Sequence, residues 1–139
     1  MQFVCDAPGQ KTWFRIETEA EAEAEARLMS HSVNKYFARA WAEANESFQP
    51  RPGAVSEQNI GRKEFIARTM PLFLTLRADD GTGLATAMLP PEARNDARFR
   101  IIIVGPSNAD PYVEHAAAIR ALEHKYALTL PRERCFPYG

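Results

Sequence analysis

Side chains that could bind a small ligand are concentrated in the segment Val104-Gly-Pro-Ser-Asn-Ala-Asp-Pro111, which runs from a predicted strand into a predicted helix. Ser107 supplies a hydroxyl and Asn108 an amide, at a helix N-terminus where free backbone N–H groups favour anions. Asp110 occupies the capping position of that helix, and Glu114 adds negative charge to its first turn. Both carboxylates repel phosphate. The segment is therefore interpreted first as a structural helix cap, with small-ligand binding as the alternative.

The three histidines, His31, His115 and His124, lack the helical spacing of a metal site. No His-x-x-x-His or Glu-x-x-His pair occurs, so a metal site would need ligands assembled through tertiary contacts. His115 is close to the apolar side of the last predicted helix. We expect it to be a partly buried, hydrogen-bonded side chain, with proton transfer as the alternative role. The sequence predicts no metal and no cofactor.

Arginines supply the remaining polar contacts that a ligand could use, one before the segment and two in the C-terminal tail. Surface arginines are more often solvated or ion-paired than ligand-binding. The full set of ligand candidates is Arg100, Ser107, Asn108, His115, Arg132 and Arg134.

Composition excludes several functional classes. The 139 residues carry a formal net charge of −1, which gives no general attraction for nucleic acid or an anionic membrane. No stretch reaches the roughly 20 apolar residues that span a bilayer, and the N-terminus does not resemble a secretory signal. Cys5 and Cys135 are far apart in the chain, so we expect two unpaired thiols and a cytoplasmic location.

The elements that position these residues begin with a predicted long helix from Thr18 to Phe48. Thr18 and Glu21 form a capping box, and the glutamates that follow complement the positive end of the helix dipole. Apolar residues recur at spacings of three and four through Phe48. Pro50 and Pro52 then end the helix, and residues 49–60 are predicted to be a surface loop.

Strands account for most of the remaining chain. Alternating apolar residues predict strands at both ends of a turn at 79–83 and a hairpin before the long helix, and the run Ile101-Ile-Ile-Val104 predicts an interior strand. A minor helix at 61–69, a further strand around Leu128 and Leu130, and a tail at 131–139 complete the order. We expect one α+β domain with the order ββα(α)βββα, in which about five largely antiparallel strands carry one long and one shorter helix on one face.

Aromatic side chains beyond the predicted core suggest an interface. Tyr36 and Trp41 widen the apolar stripe of the long helix, while Phe136 and Tyr138 belong to a tail too short to form a core. Aromatic residues are common anchors of protein interfaces. We therefore expect a non-enzymatic protein that acts through a protein partner or through self-association. The alternative is a small-molecule-binding domain, or a minor enzyme, with a pocket between sheet and helices.

Overall fold

Five antiparallel strands form one sheet in the computed structural model, which describes residues 1–50, 52–53 and 55–139. The strands are β1 (Gln2–Ala7), β2 (Lys11–Arg15), β3 (Leu72–Ala78), β4 (Gly83–Leu89) and β5 (Ile102–Val104). Each strand pairs with the next one along the chain, so the spatial order is β1-β2-β3-β4-β5. The predicted α+β class and the order of elements are confirmed.

Turn residues explain the hairpin between β3 and β4. Gly81 takes a φ of +88°, which glycine adopts without strain. The Asp80 carboxylate accepts hydrogen bonds from the backbone N–H and the hydroxyl of Thr82, at 2.9 and 2.6 Å. These local contacts fix the register of the two central strands.

The predicted long helix is wrong in one respect, because the chain forms two helices over this span. The helices of the protein are α1 (Glu19–Met29), α2 (Val33–Ser47), α3 (Val55–Thr69), α4 (Tyr112–Tyr126) and α5 (Arg132–Cys135). The capping box of Thr18 and Glu21 is present as predicted. The last residue of α1 is Met29, and its C-cap residue Ser30 has a φ of +53°. α2 starts two residues after His31. The apolar spacing continues across the break because both helices pack on the same side of the sheet.

The loop predicted at 49–60 is shorter than expected. α3 begins at Val55, so the helix starts six residues before the predicted minor helix at 61–69. Val55 and Ile60 are exposed, and this half of the helix therefore lacks the apolar stripe on which the prediction depended. Residues 51 and 54 of the predicted loop lie outside the described residues.

One face of the sheet is covered by α4. Trp13, Leu74 and Leu76 point to this face and form one buried cluster with Ile119 and Leu122 of α4. The indole N–H of Trp13, which is wholly buried, donates a hydrogen bond to the carbonyl of Ala118 at 2.9 Å. This face is filled almost entirely by apolar side chains.

The opposite face is covered by α1, α2 and α3. Phe73 alternates with Leu74 along β3, and successive strand residues point to opposite faces. Its ring packs edge-on against Phe37 of α2 at a centroid distance of 5.2 Å, in a second cluster with Ile16 and Ile66. The expectation that the main helices share one face is therefore wrong. Apolar residues of the strands face both sides of the sheet. A single layer of helices on one face could therefore not bury all of them.

Three predictions near the end of the chain are also corrected. β5 pairs with β4 alone and is an edge strand; the helices on both faces, rather than an interior position, explain its apolar residues. Leu128 and Leu130 form no strand, because the backbone N–H of Leu130 donates to Glu123 and its carbonyl accepts from the Tyr112 hydroxyl. The tail at 131–139 contains α5, whose Cys135 is fully buried.

None of the helices in the described part of the chain has the length and apolar character that crossing a bilayer requires.

Candidate functional site

A chain of buried polar side chains lies between α1 and the sheet. Glu25 of α1 is fully buried, and its two carboxylate oxygens accept hydrogen bonds from different strands. The Arg77 guanidinium of β3 donates at 2.7 Å, and the Thr86 hydroxyl of β4 donates at 2.6 Å. Arg77 also donates to the Thr75 hydroxyl at 3.0 Å. A buried carboxylate is stable only when paired in this way.

His31 extends this chain to the junction of α1 and α2. Its Nε2 lies 2.8 Å from the Thr86 hydroxyl oxygen. That hydroxyl gives its one hydrogen to Glu25, so Nε2 carries the hydrogen and donates to Thr86. The other ring nitrogen, Nδ1, accepts from the backbone N–H of Val33 at 3.4 Å. The contact at Nδ1 requires a neutral imidazole, and burial lowers the pKa of His31 against the opposing effect of the Glu25 carboxylate.

The order of these groups differs from that of a hydrolytic triad. In a triad the histidine lies between the nucleophile and the acid. Here the Thr86 hydroxyl is in the middle and only 4% exposed, and it donates to a carboxylate that Arg77 already pairs. The arrangement holds α1, α2 and two strands together and presents no activated nucleophile.

A small cavity of about 60 Å³ borders His31, and we call it the His31 cavity. It is lined by His31, Val33, Tyr36, Phe73, Thr86, Ala87, Met88, Ile102, Val104, Asn108 and Tyr138. Of the six ligand candidates predicted from the sequence, only Asn108 lines it. Two of the four interface candidates, Tyr36 and Tyr138, also line it, with exposures of 49% and 64%.

The other ligand candidates are spread over the molecule. Ser107 is exposed, with a φ of +55° next to Asn108 at +61°. Arg100 is also exposed, and Arg134 donates to Asn95 at 3.3 Å. Arg132 pairs with Asp110, whose pKa is lowered first by the N–H of Tyr112 and then by this arginine. The structure therefore does not gather the six into one site.

His115 is the half-buried, hydrogen-bonded side chain that the sequence predicted. Its Nδ1 accepts from the Lys11 ammonium group at 3.0 Å. Burial and this neighbouring cation lower the pKa of His115, while Glu114 opposes them. Lys11 belongs to β2 and His115 to α4, so the contact joins the sheet to the helix that covers it.

A wider groove lies between α2 and α3, and we call it the α2–α3 groove. Its volume is about 270 Å³, and it is lined by Arg15, Ile16, Glu17, Phe37, Trp41, Asn59, Arg62, Lys63, Ile66, Ala67, Met70 and Pro71. Ile16, Phe37, Ile66 and Met70 are each buried to 93% or more and form its apolar floor. Trp41, an interface candidate, forms one wall and is 43% exposed.

The rim of the α2–α3 groove is basic. Arg15, Arg62 and Lys63 are opposed by a single carboxylate among the lining residues, that of Glu17. Arg62 is held in place by a hydrogen bond to Asn45 at 2.8 Å and lies 4.8 Å from the centre of the Phe48 ring. Arg15 is anchored by a hydrogen bond to the carbonyl of Ala67 at 2.8 Å.

Other surface depressions are more polar in character or wider. One of about 750 Å³ lies between the end of α2 and α3, where Gln49, Glu64 and Arg68 are among its lining residues. Another of about 420 Å³ follows the Tyr36 side of α2 as far as Phe99. Phe136, the fourth interface candidate, is partly buried, and its ring lies 5.9 Å from that of Tyr138 and 5.1 Å from the Arg132 guanidinium.

Both cysteines are free, Cys135 fully buried and Cys5 partly buried. Burial raises the pKa of both thiols, which disfavours the reactive thiolate. Among the described residues, no group of three His, Cys, Asp or Glu side chains is arranged to hold a metal ion.

Sequence reasoning missed Glu25 and His31 as a linked pair. The sequence pattern assigns the glutamates of α1 together to the positive end of the helix dipole. Glu25, however, follows Ala22 by three residues and precedes Met29 by four, so it falls on the apolar side of its own helix. That position was the available signal, because a charged residue on a buried stripe needs a partner.

Compared with protein-family models, curated proteins and solved structures, the chain shows no match.

Proposed function

We propose that this protein acts by binding another protein, and that the α2–α3 groove takes an acidic, amphipathic helical segment of that partner. The observation that carries the proposal is an open apolar groove with an exposed tryptophan and a basic rim. The same proposal places the protein in the cytoplasm, where unpaired thiols such as Cys5 and Cys135 are maintained.

The apolar floor favours the insertion of side chains. At about 270 Å³ the groove is slightly smaller than the roughly 300–1,000 Å³ typical of small-molecule sites. It is also open along one side, between two helices, which suits a third helix that lays an apolar stripe into it. Trp41 gives such a partner a large aromatic surface to cover, and buried tryptophans are frequent energetic hot spots of interfaces.

The rim determines the charge of the partner. Three cations face one carboxylate across the groove, so acidic side chains that flank the apolar stripe are attracted and basic ones are repelled. The contacts of Arg15 and Arg62 to Ala67 and Asn45 use one N–H each. A guanidinium has five N–H donors, so both arginines retain donors for a carboxylate.

A small-molecule or enzymatic role has weaker support. It needs an enclosed pocket with convergent polar groups, and the pocket that borders the Thr86 and His31 side chains is the His31 cavity of about 60 Å³. This volume is several times below that of an ordinary metabolite site. Both nitrogens of His31 are already used in hydrogen bonds.

The test selects binders from a library of random peptides of about 15 residues, or about four helical turns. We expect the selected sequences to combine Asp and Glu with large apolar residues at helical spacing, and to shift the fluorescence of Trp41. Trp13 is wholly buried and supplies a constant background. Selection of basic or uncharged sequences, or of no sequence, contradicts the proposal.

Two variants of α2 localise the binding. Trp41→Ala is expected to weaken the selected peptides by about tenfold or more, the loss that corresponds to 1.4 kcal/mol. Tyr36→Ala is the matched control, since Tyr36 is a similarly exposed aromatic residue of the same helix that does not line the groove. Equal loss in both variants contradicts the assignment to the groove.

Sedimentation of the protein alone examines self-association. A second copy could offer the exposed glutamates of its own α1 to the basic rim. A dimer that Trp41→Ala dissociates would make the second copy, rather than another protein, the occupant.

A further inference from the structure

We propose that the neutral imidazole of His31 is a proton-sensitive cap of α2, and that protonation at Nδ1 releases the first turn of α2 from the sheet. The inference concerns the junction between α1 and α2 and stands independently of the α2–α3 groove.

His31 accepts a hydrogen bond from a backbone N–H at the start of α2, as a capping side chain does. The first backbone N–H groups of a helix have no partner within it, and side-chain oxygens of Ser, Thr, Asp or Asn usually accept from them. Ser32 is in the N-cap position of α2, yet its hydroxyl makes no capping hydrogen bond in the described structure. The N–H of Val33 donates instead to Nδ1 of His31 at 3.4 Å. A helix start that could use a pH-independent hydroxyl thus uses a titratable ring.

The hydrogen-bond directions make this cap depend on the charge of the ring. Nε2 already carries a hydrogen, which it donates to Thr86 at 2.8 Å. A proton from solvent can therefore add only to the lone pair on Nδ1, and it converts the acceptor of the Val33 N–H into a second donor. The two N–H groups then face each other, so the contact is lost. The new positive charge also lies at the positive end of the α2 dipole.

Charged groups act on His31 from each side. Glu25 of α1 favours the protonated ring through Thr86, and Arg77 of β3 partly cancels that effect because it pairs with Glu25. In the first turn of α2, Val33 to Tyr36, the one charged side chain is the exposed Lys35. The other polar side chains that line the cavity are those of Tyr36, Thr86, Asn108 and Tyr138. Burial also lowers the pKa of His31.

The anchors of α1 are separate from the His31 cap of α2. Ser30 is in the left-handed region, with a φ of +53°, and separates α1 from α2. α1 is anchored by its own capping box and by Glu25, and neither contact involves α2. Loss of the His31 cap is therefore expected to affect the start of α2 and to leave α1 in place.

Amide hydrogen exchange by NMR tests the cap at pH 7.5 and pH 5.5, with protection factors corrected for the intrinsic pH dependence of exchange. We expect protection of the amides from Val33 to Phe37 to fall about three- to thirtyfold at the lower pH, the equivalent of one lost N-cap. Protection in α4 is expected to stay constant. Unchanged protection in α2, or a His31 ring that does not titrate above pH 5, overturns the proposal.

Variants separate the cap from a general effect of acid. His31→Asn keeps a neutral acceptor and is expected to make the protection of α2 independent of pH. His31→Gln is the second choice if that variant does not fold. His115→Asn is the matched control, because it removes a similarly half-buried histidine from α4, and the response of α2 should persist. If the pH response of α2 protection also persists in His31→Asn, the proposal is overturned.

One consequence rests on the proposed function. Since Trp41 belongs to α2, release of that helix is expected to weaken a selected acidic peptide at pH 5.5 in the wild type but not in His31→Asn. Absence of peptide binding at both pH values contradicts the proposed function. The cap proposal is then decided by the amide exchange experiment, which does not involve a peptide. Equal peptide binding at both pH values, with reduced protection in α2 at pH 5.5, contradicts only the control of the groove by His31. The cap itself is then supported by the exchange data.

Discussion

The two faces of the sheet differ in how completely they are filled. Under α4, Trp13, Leu74 and Leu122 pack in an apolar cluster with less than 1% of each side chain exposed. Under α1, α2 and α3, the buried Glu25–Arg77 pair shares the space with apolar side chains, and both the His31 cavity and the α2–α3 groove open on this side. The α4 face is expected to contribute stability, and the opposite face is expected to supply the proposed binding surface.

The largest effect is expected from Glu25→Ala on the mixed face. It leaves the Arg77 side chain, which is 17% exposed, without its carboxylate, and breaking a buried pair typically costs about 3–5 kcal/mol. Chemical denaturation measures the loss. The double variant Glu25→Met with Arg77→Leu removes both charges and is expected to recover most of it, since apolar replacements of buried pairs are often neutral or stabilising. A double variant no more stable than Glu25→Ala would mean that the charges are needed for the fold.

Apolar truncation compares the two faces directly. Phe37→Ala removes a ring that contacts Phe73, and Leu122→Ala empties the centre of the α4 face. We expect losses of about 3–5 and 2–5 kcal/mol in the free energy of unfolding, the usual range for such cavities. Only Phe37→Ala should also weaken peptide binding, because Phe37 forms part of the groove floor. Equal loss of binding in both variants would contradict the separation of the two faces.

Loss of the α1 cap is expected to have an intermediate effect. Thr18→Ala removes the acceptor of the Glu21 N–H at 3.1 Å and should destabilise the protein by about 0.5–2 kcal/mol. Thermal unfolding measures the change. Thr18→Ser retains a hydroxyl and should restore most of the stability. An unchanged melting temperature for Thr18→Ala would show that the cap contributes no stability.

Acidification is expected to lower stability through histidines on both faces. The pKa values of His31 and His115 are lowered in the folded state, so the unfolded chain binds these protons first. The contribution of the neutral rings is complete above the unfolded value of about 6.5 and is lost as the pH falls towards the folded pKa. Denaturation curves between pH 7.5 and 5.5 measure the slope. The double variant His31→Asn with His115→Asn should flatten it, and a slope that survives would assign the effect to other groups.

The smallest effect on stability is expected from Trp41→Ala. The side chain is 43% exposed, and surface substitutions usually change stability by about 0.5 kcal/mol or less. Its effect should appear in peptide binding instead. A large loss of stability would mean that Trp41 is a structural side chain and would remove the main support for the groove.

Much of the fold was predictable because it depends on contacts close in sequence. The capping box of Thr18 and Glu21, the turn at Asp80 and Gly81, and the alternation along β3 each involve residues a few positions apart. The order of elements and the α+β class follow from such signals. For the candidate site, the exposure of Tyr36 and Trp41 was also anticipated from the width of the helical stripe.

Tertiary contacts decided the rest. The break at Ser30, the use of both faces of the sheet, and the burial of Glu25 depend on residues far apart in the chain, such as Glu25 and Thr86 at 61 positions and Trp13 and Ala118 at 105. Helical spacing in a sequence reports which side of a helix is apolar but does not report which surface covers it. The protonation state of His31 and the meeting of Trp41 with Arg62 and Lys63 therefore exist only in the folded chain, because distant segments supply the partners that give these side chains their charge, burial and neighbours.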